Sequence, residues 1–83
     1  MDLPADDSLI PQAQQLVTRL ERISADSYWA HQASGVRGAL LRSLEWIERG
    51  RGARWKRLVE LRRDVLQGYH ILENAAREIE EPK

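Results

Sequence analysis

The sequence predicts an all-α fold, an up-down-up three-helix bundle with a short first helix and two long ones, expected to pair as a dimer. Three observations predict it. Between breaks in the pattern, apolar residues recur every three or four positions, the spacing of one helix face. No alternation of apolar and polar residues lasts long enough to read as a strand. Glycine and proline act mostly as punctuation: Pro4 and Pro11 near the start, Gly50 and Gly52 around Arg51, Pro82 at the end. Gly35, Gly38 and Gly68 lie inside periodic stretches instead.

With 83 residues, the chain has room for one core. Residues 1–7 are expected to form an acidic flexible tail, and residues 8–81 a single helical domain. Leu, Ile and Val supply 20 of the 83 residues, enough for a packed interior but a thin one. Chains this small often gain stability from a metal, a disulfide or a partner subunit. The absence of cysteine removes disulfides, thiolate zinc sites and cysteine catalysis.

Helix 1 is expected to begin between Ser8 and Pro11, with Leu9, Ala13, Leu16, Val17, Leu20 and Ile23 on one stripe. Ser24, Asp26 and Ser27 offer caps between helices 1 and 2. Helix 2 runs to about Arg49, burying Trp29, Ala33, Val36, Leu40, Leu44 and Ile47. Gly50 suits a left-handed C-cap, and Gly50-Arg51-Gly52 turns the chain. Helix 3 runs from about Ala53 to Glu80, with Leu58, Val65, Leu72 and Ile79 every seventh residue and Trp55, Tyr69 and Ala76 flanking them. Helix 1 is too short to cover this long hairpin, so apolar surface is expected to remain open.

Two features point to a second copy. Adding Leu61, Leu66 and Ala75 widens the apolar arc of helix 3 to about 200°. On helix 2 a second stripe, Tyr28, Gly35, Ala39 and Trp46, stands about 100° from the core line. Gly35 and Ala39 would let another helix approach closely there. The expected interface is therefore Tyr28, Gly35, Ala39, Trp46, Leu61 and Leu66, used by a homodimer or by a second protein.

Charge is the other anomaly. The net charge is zero, yet residues 49–63 hold seven bases against Glu60. Helix 3 begins with Arg54, Lys56 and Arg57 and ends with Glu78, Glu80 and Glu81, both ends opposing its own dipole. Asp2, Asp6 and Asp7 could neutralise the basic corner, the acidic end of a twin could, or an external anion could. The last option makes Arg49, Arg51, Arg54, Lys56 and Arg57 a nucleic-acid site, the alternative reading of function.

Catalytic chemistry finds little support. His70 and Glu73 share one helix face, but in reversed order and in one copy relative to di-iron carboxylate bundles. His31 falls among Arg42, Glu45 and Arg49 on a polar face. The serines lack a legible His–acid arrangement, and no glycine-rich phosphate loop occurs. No cofactor is implied. No segment is long and apolar enough to span a membrane, and no secretory leader is evident, so a cytoplasmic, non-enzymatic interaction or assembly module is expected.

Overall fold

The computed structural model describes the backbone of residues 6–80 and the side chains of residues 8–78. Among these residues there are three helices and no strand: α1 (Asp6–Glu21), α2 (Ala30–Glu48) and α3 (Arg54–Glu80). None is long and apolar enough to cross a membrane. Helix α1 starts at Asp6, earlier than the Ser8–Pro11 window, which places Pro11 in its second turn. Two aspartates in a first turn suit the partial positive charge there, and this extends the helix toward the chain start. Leu9, Ala13, Leu16, Val17 and Leu20 are buried, as their spacing requires.

The turn into α2 is built from serine side chains. Ser24 Oγ accepts the Asp26 N–H at 3.2 Å, and Ser27 Oγ accepts the Trp29 N–H at 3.1 Å. Trp29 itself occupies the cap position with no side-chain bond, so Ser27 serves from two residues upstream. Glu78 completes the junction, accepting Ser27 Oγ–H at 3.0 Å and the Tyr28 N–H at 3.1 Å. The end of α3 thereby holds the beginning of α2.

Ala33, Val36, Leu40, Ser43 and Ile47 are buried along α2, while Trp29 and Leu44 are half-buried against the core. The far end of α2 closes with a Schellman turn. Gly50, at φ 67°, donates its N–H to Ile47 O at 3.1 Å, and Arg51 donates to Trp46 O at 2.9 Å. A side chain would strain that backbone, which is why glycine stands there.

Helix α3 has 27 residues and α1 has 16, or about 40 Å against about 24 Å. Helix α1 therefore reaches only part of α3. The buried line of α3 comprises Leu58, Leu61, Val65, Gly68 and Ala75, with Leu72 half-buried on it and Ile71 buried beside it. The expected line Leu58, Val65 and Leu72 is thus the covered one, and the correction concerns its flank. Trp55, Tyr69 and Ala76, placed beside the core by sequence, are exposed, while Leu61 is wholly enclosed.

Gly68 explains the choice of flank. A Cβ there would lie 3.3 Å from Leu16 Cδ1 and 3.7 Å from Leu20 Cδ1. Bare backbone at Gly68 lets the two leucines seat against α3, and this contact fixes which face α1 covers. Gly35, by contrast, has nothing within 4 Å of a built Cβ. Gly68→Leu is expected to cost about 2–3 kcal/mol by over-packing, whereas Gly35→Ala should gain up to about 1 kcal/mol from helix propensity. Thermal melts followed by circular dichroism measure both. Loss of stability in Gly35→Ala would place a packed neighbour on that face.

Candidate interaction surface

The Gly50–Gly52 turn gathers the predicted cations at one end of the hairpin, but they do not behave alike. Arg57 turns inward. Its guanidinium lies over the Trp46 ring at 4.1 Å, bonds Arg51 O through Nε at 3.3 Å, and meets Glu60 Oε2 at 3.3 Å. Arg49 pairs with Glu45 at 3.1 Å, both side chains mostly exposed, a contact worth under about 1 kcal/mol. Arg51, Arg54 and Lys56 are exposed, and among the described residues none has an acidic partner. Lys56 Nζ stands 5.9 Å from the Trp55 ring. The suggested neutralisers Asp2, Asp6 and Asp7 lie outside the described side chains.

A nearer source of compensation is α2. In the antiparallel hairpin the basic start of α3 sits at the carbonyl end of α2, where partial negative charge collects. Arg57 bonds Arg51 O in the turn that follows this end of α2. At the other end Glu78 receives the Tyr28 N–H beside the amino end of α2. Charges that oppose the dipole of α3 thus agree with the dipole of its neighbour.

The predicted interface residues do not form one face. Leu61 is 0% exposed and belongs to the core, because the line through Gly68 and Ala75 is the covered one. Trp46 is half-buried beneath Arg57, and Ala39 is half-buried nearby. Tyr28 is 76% exposed, its ring edge-on to Trp29 at 5.4 Å, and Gly35 is open. Leu66 is 56% exposed, but on α3 it lies on a different side from the helix-2 stripe.

Sequence reasoning missed what surrounds Leu66. Trp55 and Val59 are exposed too, at 66% and 58%, and Tyr69 remains 38% exposed. Steps of four and three along α3 join Trp55, Val59, Arg62, Leu66, Tyr69, Glu73 and Ala76 into one row about 32 Å long. That row is a second seam, about 100° around the helix from the buried one. Tyr69 OH donates to Gln12 Oε1 at 3.2 Å, so α1 borders the row without covering it. The signal was present in the seven-residue spacing of Val59 and Leu66.

Other groups are dispersed. His70 lies edge-on to Trp29 at 6.1 Å and near Asn74, while Glu73 pairs with Arg77 at 2.9 Å. Among the described residues no three His, Asp or Glu side chains converge as metal ligands. An open groove of about 520 Å³ runs past Ile23, Leu72 and Ala75 beyond the end of α1, with Arg19 and Arg22 on its rim. No family model, no curated protein and no solved structure matches the chain.

Asp64 has a carboxyl displaced from its ordinary range. Desolvation between α2 and α3 raises its pKa above 3.8 and Glu60 adds to this, while Arg63 and Arg42 pull it down. A raised folded-state pKa means the folded chain binds more protons, so this group contributes stability at low pH that is lost as pH rises through the raised value. Asp64→Asn is expected to stabilise the fold slightly at neutral pH, by under about 0.5 kcal/mol, with the difference vanishing on acidification. Melts over a pH series read it directly.

Proposed function

We propose that this chain is a non-enzymatic self-association and assembly module whose principal contact is the exposed seam of α3. The single observation that carries the reading is the row Trp55, Val59, Leu66 and Tyr69, four large apolar side chains left in solvent on one helix face. Isolated exposed apolar residues are ordinary, but a contiguous row rimmed by charges is the usual mark of a binding surface. Its length matches what one helix of another molecule could cover, and two-fold pairing is the commonest way such a face is closed. Tyr28 and the open Gly35 face of α2 are a secondary area, separate from the seam.

The basic corner supports the nucleic-acid alternative less well. Arg49 and Arg57 are engaged within the chain, and the end of α2 offsets part of the remaining charge. Arg51, Arg54 and Lys56 are left to face solvent.

Leu66→Glu tests the reading, because Leu66 is exposed and its loss should spare the fold. Sedimentation velocity over a wide concentration range should show the unsubstituted chain pairing. The variant, with unchanged helicity, should pair at least about tenfold more weakly. A unsubstituted chain that stays monomeric at all concentrations would remove the proposal.

A further inference from the structure

The exposed seam also carries an orientation. Taking the self-association reading as given, we infer that two copies pair antiparallel through α3, with Arg62 of each facing the partner's Glu73.

The inference starts from the order of residues along the seam. Six of its seven members are arranged about a point midway between Leu66 and Tyr69, with Trp55 lying beyond them at one end. About that point these six are symmetric in position: Leu66 with Tyr69, Arg62 with Glu73, Val59 with Ala76. An antiparallel two-fold exchanges exactly such equidistant positions. It would place Leu66 on the partner's Tyr69 at the centre and Val59 on the partner's Ala76 further out. The only charged members, Arg62 and Glu73, have opposite sign and would meet twice, once on either side of the axis. A parallel pairing in register would instead stack Arg62 on Arg62 and Glu73 on Glu73. In helix pairs, charged or polar seam residues decide orientation more than strength, since the wrong pairing desolvates like charges against each other.

Both groups are available for that contact. Arg62 is half-buried, and among the described residues no carboxylate pairs with it. Glu73 meets Arg77 through Oε1 at 2.9 Å, with both side chains more than 60% exposed. Its second oxygen can accept from a further cation, and the existing pair is a weak solvent-exposed one.

Charge reversal tests the arrangement. Arg62→Glu and Glu73→Arg should each weaken pairing about tenfold or more, because the two-fold repeats the clash. The double variant carrying both should recover most of the lost affinity. Sedimentation measures affinity, and circular dichroism confirms that each variant retains its helices. If the unsubstituted chain pairs but single reversals leave it unchanged, or the double variant fails to recover, the antiparallel assignment is wrong while self-association stands. If the unsubstituted chain does not pair at all, both fall together.

Discussion

The close approach of α1 to α3 at Gly68 is the constraint from which the rest of the molecule follows. Without a side chain there, Leu16 and Leu20 seat directly on the α3 backbone, and the line Leu58–Leu61–Val65–Gly68–Ala75 becomes the inner face. A long helix with apolar residues over about 200° can be covered on one side by two neighbours, but not all round. Once Gly68 selects the inner side, Trp55, Val59, Leu66 and Tyr69 are left outside. The exposed seam is therefore a consequence of how the core is chosen, and the brevity of α1 adds to it.

Electrostatics obeys the same logic of neighbours. Taken alone, α3 carries cations at its amino end and carboxylates at its carboxyl end, an arrangement that an isolated helix disfavours. Laid antiparallel to α2, each end meets the opposite pole of that helix. Glu78 accepting the Tyr28 N–H just ahead of α2 is the point where this can be seen atom by atom. Part of the charge asymmetry is thus a feature of the hairpin, while Arg51, Arg54 and Lys56 stay exposed with no acidic partner among the described residues.

Much of this was legible from the residues, and the failures have identifiable causes. Helix number, the stripe on α1, the core line of α2 and the left-handed Gly50 follow from periodicity and backbone sterics. The α3 line Leu58, Val65 and Leu72 follows as well, but which flank joins it does not, because apolar residues lie on both sides of that line and periodicity alone cannot say which side a neighbour covers. Gly68 was the missing discriminator. It stood within the pattern as an interior glycine, but its use depends on Leu16 and Leu20, some fifty residues away in sequence. Trp46 illustrates a second blind spot: an aromatic on an outer stripe can be capped by a single arginine from the next helix, here Arg57 at 4.1 Å. Such pairings arise from the turn geometry at Gly50 and Gly52 and carry no local signature.

Distance between two copies tests the central claim most directly, and a cysteine-free chain makes the measurement clean. A single Lys56→Cys substitution would carry one nitroxide label, and pulsed electron resonance would report the label-to-label distance in the pair. Antiparallel pairing centred between Leu66 and Tyr69 sets the two labels roughly 35 Å apart along the helices. A separation on the order of 10 Å, the spacing of parallel neighbouring helices, or no intermolecular signal at any concentration, would contradict the account.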